Sequence, residues 1–403
     1  MNALVSRRAL IAALKLALPG VDKLGALPFR YVWLEVIENH LRVRTYNAEI
    51  AIDVTVRAEG RGATEGSVFV PMSRLLRVLS AMEDDEIHLV AISGRLVLGG
   101  RRQRMQMLGL AEKIGDVMPE SGPPPLFSLP LAEGQLHGII RPVYHAASYE
   151  ETRYYLNGVC LQNDSDGKLQ LLRTIATNGH MLESRATGVL QQLPNLSVII
   201  PHVAVKAILQ TSPDVEARLE LFGDEKRPYH IGRYVGDNFE IRFKLIDGTY
   251  PDWRRVVPDV AGGAFVDVSA LELRRALRFV RSSIGGSFRC TCLLPISDSE
   301  IGLRYIEDGG DYITTARIPG TSTPDLKDKP FVPVGLNAEY LATLVETAVG
   351  TLRIKQSSTD LGPIVLQHEG IPYAVTLMMP MRMDDKLRNL KEPEVPAEAT
   401  ADA

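Results

Sequence analysis

Cys290 and Cys292 stand two residues apart, the closest this 403-residue chain comes to a metal-ligand spacing. Zinc asks for four ligands at recognisable spacing, whereas alternate residues of a strand point to one face, so the pair reads as strand core. With Cys160 as the third cysteine, no disulfide framework can be built. His180, in Asn178-Gly179-His180, has the chemistry of a general base, but no serine, cysteine or carboxylate is placed to work with it. Nucleophile elbow, P-loop, GxGxxG and zinc spacings are all missing, and the 8 histidines are scattered. The expectation is a protein without catalytic residues, metal or cofactor.

Positive charge is what the chain does place in a pattern. Arg274, Arg278 and Arg281 follow i, i+4, i+7 opposite an apolar stripe, and Arg8 and Lys15 lie seven apart. Over six helix candidates the basic residues are Arg7, Arg8, Lys15, Arg74, Arg77, Arg141, Lys206, Arg274, Arg275, Arg278 and Arg281. The acidic ones are Glu133, Glu272, Glu339 and Glu346. Eleven against four is +7 in a chain of net charge −4, which leaves −11 elsewhere. A solvated face is the plain alternative, but recurrence in five of six helices favours a surface that neutralises phosphates without reading bases.

The elements that must carry these residues repeat. Residues 67–82 read SVFVPMSRLLRVLSAM, 197–212 read SVIIPHVAVKAILQTS, and 330–349 read PFVPVGLNAEYLATLVETAV. Each is a β-rich run, a proline and a helix-period pattern, with Pro71, Pro201 and Pro333 opening the helical part. Pro119, Pro251 and Pro380 close the units at the same period. Each unit also opens on an amphipathic helix, at 6–18, 133–148 and 268–284, the last with Ser269 and Glu272 as a capping box. Alternating runs such as Glu86-Ile-His-Leu-Val-Ala-Ile92 read as half-buried strands. The fold class is therefore α+β: three similar domains, each with two helices and antiparallel sheets, at 1–121, 126–257 and 264–383. Ser121-Gly-Pro-Pro-Pro125 and residues 258–263 are the linkers. Residues 384–403 turn to Asp, Glu, Pro and Ala and read as a disordered acidic tail. No apolar run is long enough to cross a bilayer and the N-terminus has no cleavage site, so a cytoplasmic protein is expected.

Four stretches give this repeat a family likeness: Thr152-Arg-Tyr-Tyr-Leu-Asn-Gly158, Thr174-Ile-Ala-Thr-Asn-Gly-His180, Lys244-Leu-Ile-Asp-Gly-Thr-Tyr-Pro-Asp-Trp-Arg-Arg-Val256 and Met379-Pro-Met-Arg-Met383. In order and spacing they resemble the bacterial DNA polymerase III beta subunit, the replicative sliding clamp, over essentially residues 1–383 and most weakly in the first domain. The resemblance implies a closed-ring homodimer on double-stranded DNA, helices lining the hole. It implies partners in the DNA polymerase III alpha subunit, the clamp-loader ATPase complex and other proteins with a clamp-binding motif, and none in a membrane. The alternative is a clamp-derived accessory module that no longer encircles DNA.

Carried over residue by residue, the partner-peptide pocket would comprise Leu156, Thr177, Gly179, His180, Leu182, Pro251, Arg255, Val256, Leu377, Met378, Met379, Pro380, Met381, Arg382 and Met383. Methionine and leucine would give an adaptable apolar floor; a Met-rich terminal strand can equally be core. The DNA-contacting set would be Lys23, Arg74, Arg77, Arg141, Tyr154, Tyr155, Lys206, Arg274, Arg278 and Arg281, with strand-end packing the alternative for the tyrosines. Departures from the family pattern are Asn178 and Met181 at the pocket rim, Pro142 inside a helix, and Ser282 and Ser283 at positions of ring-interface residues; Met105 still fits the opposite side. The tail is a further departure. It is expected either to compete with partner peptides by laying Leu387 or Leu390 on the pocket floor, or to be an inert solubilising appendage.

Overall fold

The computed structural model describes residues 1–22, 24–110, 124–224, 229–260, 263–286, 289–307, 310, 312–323, 330–357 and 362–390. Lys23, Pro119, most of the 121–125 segment, part of 258–263 and residues 391–403 lie outside them. The chain forms two compact units, one of Met1–Arg141, Asn157–Val159 and Leu196–Gly248, the other of Pro142–Leu156, Cys160–Asn195 and Thr249–Ala403.

The first unit holds two antiparallel sheets. One runs in the order Glu59–Thr64, Asn2–Ser6, Glu86–Ile92, Arg95–Gly99, Arg104–Leu108. The other runs Phe127–Leu131, Ala217–Phe222, Ile231–Gly236, Phe239–Lys244, Ile50–Arg57, His40–Tyr46, Tyr31–Ile37, Gly66–Pro71. Its middle joins segments nearly 190 residues apart in register, from Phe239 opposite Val54 to Phe243 opposite Ile50. Among the described residues this unit has the helices α1 (Arg7–Ala17), α2 (Met72–Ala81), α3 (Gln135–Ile140) and α4 (His202–Gln210). Helix α1 packs beside α2 and α4, and α4 beside α3. Each of the longer ones buries a stripe, such as Leu10, Ala13, Leu14 and Ala17 of α1 or Met72, Leu75 and Leu79 of α2.

In the second unit the antiparallel order is Gly158–Ser165, Gln170–Thr177, Met181–Val189, Val375–Met378, Ile364–His368, Thr351–Lys355, Phe265–Ser269, Ile313–Ser322, Glu300–Ile306, Cys290–Ser297, Val334–Asn337. Helices α5 (Ala270–Ser282) and α6 (Ala338–Val345) pack on each other, and a short α7 (Asp385–Arg388) follows. Cys290 and Cys292 are both fully buried in their strand, as the alternation requires. Together the antiparallel sheets and segregated helices are the α+β class.

The strand-to-helix junctions follow local chemistry. Pro71 and Pro201 are helix N-cap residues with φ −61° and −68°, values that the proline ring fixes anyway. Pro333 does not do the same. It precedes the strand Val334–Asn337, and Asn337 is the cap of α6, its side chain accepting from the amides of Glu339 and Tyr340 at 3.0 and 3.3 Å. Ser6 caps α1 as a serine should, accepting from Ala9 N at 3.4 Å.

Three expectations need correction. The 133–148 helix stops after Ile140: Pro142 has no N–H to continue the ladder, and the chain restarts as a 3₁₀ turn at Tyr144–Ala146. Ser269 caps α5 by position, but its side chain accepts no hydrogen bond, and Glu272 pairs with Arg275 at 2.7 Å instead of reaching back. Residues 384–390 are ordered. Asp384 Oδ1 accepts from Leu387 N at 2.7 Å, and Leu387 and Leu390 are buried against Cys290, Cys292, Leu294 and Ile306, away from the expected pocket.

Candidate functional site

A cavity of about 210 Å³ opens within the second unit, between the turn at 177–182, the 250–256 segment and the strand Val375–Met378 with Met379 just beyond it. The turn is built by Thr177-Asn178-Gly179-His180. Thr177 Oγ1 donates to Met181 O at 2.7 Å and accepts from Gly179 N at 3.1 Å, while Asn178 Oδ1 accepts from the amides of His180 and Met181 at 2.9 and 3.0 Å. Gly179 has φ +89°, where a side chain is strained, and a Cβ there would meet an Arg153 guanidinium nitrogen at 2.6 Å. Asn178 thus satisfies two backbone donors of the turn, which an acidic residue would do as well, so the neutral rim has no structural explanation here. The His180 ring lies stacked on Tyr340 with centroids 6.0 Å apart.

The opposite wall comes from Tyr250, Pro251, Asp252, Trp253 and Val256. Asp252 caps the 3₁₀ turn Trp253–Val256 by accepting from Arg254 N. Two guanidinium groups lie over the Trp253 indole, Arg254 at 4.6 Å and Arg173 at 5.2 Å from the ring centroid. Both arginines bind Asp164, at 2.8 and 2.5 Å, and Arg173 also donates to Ser184 Oγ and Tyr373 O. Burial pushes the Asp164 carboxyl up, but the hydrogen bond and charge of Arg173, with Arg254, hold it below the usual carboxylate value. The ring is therefore fixed by a charged scaffold behind it. Burial likewise pushes the Tyr250 phenol far up, so it lines the cavity as a neutral ring.

The floor follows strand alternation. Leu182 and Leu377 are register partners and line the cavity, as does Met379. Met378 points the other way and is wholly buried. Behind the floor Glu183, without exposed surface, pairs with Arg185 and faces His145 Nε2 at 3.3 Å. Burial and then the Arg185 charge hold the His368 imidazole below its usual 6.5, beside Thr376 at 3.0 Å. These groups fix the strand pair that carries Leu182 and Leu377.

Of the residues expected here, Leu156, Thr177, Gly179, His180, Leu182, Pro251, Val256, Leu377 and Met379 line the cavity; Arg255, Met378, Pro380, Met381, Arg382 and Met383 do not. Met381 and Met383 pack on the Cys290 cluster instead, and Arg255 and Arg382 are exposed outside the lining. Met181, Tyr250, Asp252, Trp253 and Pro363 line it as well. Tyr250, Asp252 and Trp253 lie in the Lys244–Val256 stretch that carries the family likeness, although only Pro251, Arg255 and Val256 of it were expected at the pocket. Pro363 gave no signal.

The basic residues sort by partner. Lys15, Arg74, Arg77, Lys206 and Arg278 are exposed and make no ion pair or hydrogen bond among the described residues. Arg141 is exposed at the C-cap of α3. Arg7 donates to Asp84 O, Arg281 pairs with Glu339, and Arg274 donates to the carbonyls of Val345, Glu346 and Ala348 at the end of α6. The expected stripe of Arg274, Arg278 and Arg281 therefore leaves one free cation, Arg278. Helices α1 to α4 contain no acidic residue at all. Tyr154, half exposed, and Tyr155 meet edge to face in the 3₁₀ segment Glu151–Leu156. No group of three or more His, Cys, Asp or Glu side chains is arranged for a metal among the described residues.

The family description "DNA polymerase III beta subunit, central domain" matches residues 130–252. The beta sliding clamp of Vibrio cholerae is 24% identical over 364 residues, spanning 87% of this chain and 91% of that protein. That of Pseudomonas putida is 26% identical over 392 residues, 95% of this chain and 100% of its own length. A crystal structure of a DnaN sliding clamp (DNA polymerase III subunit beta) from Bartonella birtlesii bound to griselimycin superposes with a TM-score of 0.82 at 21% identity, covering 95% of this chain and 100% of that one. With the same fold along nearly the whole length and its middle segment matched by that family description, the chain is similar to the DNA polymerase III beta subunits, the sliding clamps.

Proposed function

We propose that the protein is a sliding clamp that encircles double-stranded DNA and tethers the replicative polymerase. Its three strand–helix repeats, at 1–121, 126–257 and 264–383, would serve as three domains of a ring closed by a second copy. The observation that carries this is the helix layer α2, α1, α4, α3 of the first unit: neighbours that present Arg74, Arg77, Lys15 and Lys206, with Arg8 paired to Asp85 at 4.0 Å, and that contain no acidic residue themselves. A surface of that kind holds a phosphate backbone without reading bases. Tyr154, Tyr155, Arg141 and Arg278 would add contacts.

Ring closure by two copies is supported by the strand Arg104–Leu108, which among the described residues is the last of its sheet, with Leu108 72% exposed. At the other candidate contact Phe279 is 57% exposed on α5, which packs on the strand Ile313–Ser322, with Ile313 half exposed. Ser282 and Ser283 do not oppose such a contact, since their hydroxyls donate to Phe279 O and Val280 O at 2.7 and 2.8 Å. That weakens one of the two grounds for an accessory module that leaves DNA uncircled, the other being the divergent first domain. Light scattering after gel filtration tests the ring: a dimer mass is expected, and a monomer at micromolar concentration rejects it.

The cavity would receive an extended peptide from partners such as the polymerase III alpha subunit and the clamp loader ATPase. Leu156, Leu182, Leu377 and Trp253 would take an apolar end, and Thr177, His180 and Asp252 would meet its polar groups. In this reading the protein has no catalytic residues and works in the cytoplasm; among the described residues no helix is long and apolar enough to cross a membrane. A peptide with a glutamine and a Leu-Phe end is expected to bind. Met379→Ala is expected to weaken it by about 1 kcal/mol, roughly fivefold, for a partly exposed methionine, whereas Arg382→Ala, outside the lining, leaves it unchanged. Fluorescence anisotropy with a labelled peptide reads both.

A further inference from the structure

The chain leaving the cavity is pinned twice. Met379 lines the cavity and donates its amide to His180 O at 2.8 Å. Two residues later Met381 N donates to Gly335 O at 2.8 Å, an isolated bridge to the edge strand Val334–Asn337. Gly335 cannot be larger there: a Cβ would lie 2.8 Å from both Cys290 Sγ and Met381 O. Beyond Met383 the chain turns into α7, capped by Asp384. Leu387 is fully buried and Leu390 is 9% exposed on Cys290, Cys292, Leu294 and Ile306, and Met381 and Met383 pack against that same cluster. A four-residue helix has no stability of its own. Its order comes from this docking.

We infer that residues 384–390 anchor the wall of the cavity, with Leu387 and Leu390 as positioning residues that hold Met379 where a partner peptide meets it; the inference rests on the peptide-site reading proposed above. The physical link is short. Leu387 and Met383 share one cluster, Met381 touches that cluster and the Gly335 strand, and Met379 is two residues further back. Undocked, residues 380–390 lose both anchors and the wall is formed in only a fraction of molecules. Apparent affinity then falls by that fraction, estimated at about tenfold for a handful of backbone residues released. The sign is opposite to that of a tail competing for the cavity.

Docking has its own reporter. Burial, with Cys292 and Asp384 nearby, pushes the Cys290 thiol up to about 12, and burial pushes Cys292 up to about 11, so both should be slow toward an aromatic disulfide reagent at pH 8 while α7 is in place. The experiment uses the full chain carrying Leu387→Ala with Leu390→Ala, beside Leu387→Met as the conservative variant and Gly335→Ala, which displaces Met381 from the opposite side. Three signals are read: thiol reaction rate, the methyl resonance of Met379, and affinity for the glutamine/Leu-Phe peptide, with circular dichroism checking the fold. Expected are at least tenfold faster thiol reaction, a shifted and broadened Met379 methyl signal and about tenfold weaker peptide binding, all restored in Leu387→Met. Gly335→Ala should move the methyl signal and the affinity in the same direction. Reactive thiols with an unchanged Met379 signal would overturn the positioning role. Thiols that stay slow would overturn the docking, and tighter peptide binding would replace both with competition. If the unaltered protein fails to bind the peptide, the peptide-site reading falls and the methyl signal alone decides the anchor.

Discussion

At the scale of single residues, identical side chains do different work according to what lies within reach. Arg274 and Arg278 are one turn apart on α5, yet Arg274 donates to three carbonyls ending α6 and Arg278 projects free. Charge reversal should separate them. Arg278→Glu is expected to leave the denaturation midpoint unchanged and to lower the salt dependence of DNA contact by about one phosphate. Arg274→Glu should cost about 1.5–3 kcal/mol of stability, because a charged donor to part-buried carbonyls is lost. Urea denaturation and a salt titration of DNA binding read the two effects separately. Two histidines supply a pH signature. Burial first holds His137, which meets Thr211 Oγ1 at 3.2 Å, below the usual 6.5, and burial does the same for His368. As pH drops through 6.5 the unfolded chain takes up protons that these native imidazoles refuse. Stability is thus full above about pH 7 and falls from there toward the lowered native values. Melting temperatures between pH 7.5 and 5.5 should show the decline, and His368→Gln should flatten it.

Elements were legible in the sequence where the physics is local. Strand, junction and helix recur because the longer helices are fed by a strand and have proline, serine or asparagine at the N-cap, while α3 starts on Gly134, and the strand and helix periods are readable from residue type. The caps themselves were not. Asn337 holds two amides of α6 while Ser269, which has the better capping-box spacing, holds none. Hence Asn337→Ala should destabilise by about 1 kcal/mol and Ser269→Ala hardly at all, in the same denaturation assay. Pro142 announced a break, but only the fold fixed the helix at six residues. Nine residues of the cavity lining came with the family resemblance, not with any local pattern; strand alternation, which turns Leu377 toward the cavity and Met378 away from it, separates them only once the register is known. Met381 and Met383 misled for a reason that no local pattern carries: whether an apolar side chain faces the cavity or the Cys290 cluster depends on α7. Leu387 and Leu390 stood out in the charged terminal segment at a spacing that one helical turn buries, but nothing local said that they would dock on the Cys290 cluster and not on the pocket floor.

For the whole molecule, a net charge of −4 conceals helices that are almost wholly basic, and the two together decide how a clamp should hold DNA. The free cations are few and spread over separate helices, so contact alone gives weak binding that salt removes. A protein relying on six to ten phosphate contacts loses on the order of 10³–10⁵ in affinity between 50 and 200 mM salt. A closed dimer threaded by DNA is retained by topology instead, and topology has no salt term while the ring stays shut. The expected outcome is therefore specific. After loading by a clamp-loader ATPase, the protein should remain on a closed circular plasmid through gel filtration at several hundred millimolar salt. Cutting the plasmid once should release it within the time of the column. Arg74→Glu with Arg77→Glu should weaken direct low-salt binding yet leave high-salt retention on the circle intact, because those residues touch phosphate and do not close the ring. Equal retention on circular and linear DNA would reject encirclement, and loss from the circle at moderate salt would place the protein among contact-bound DNA binders.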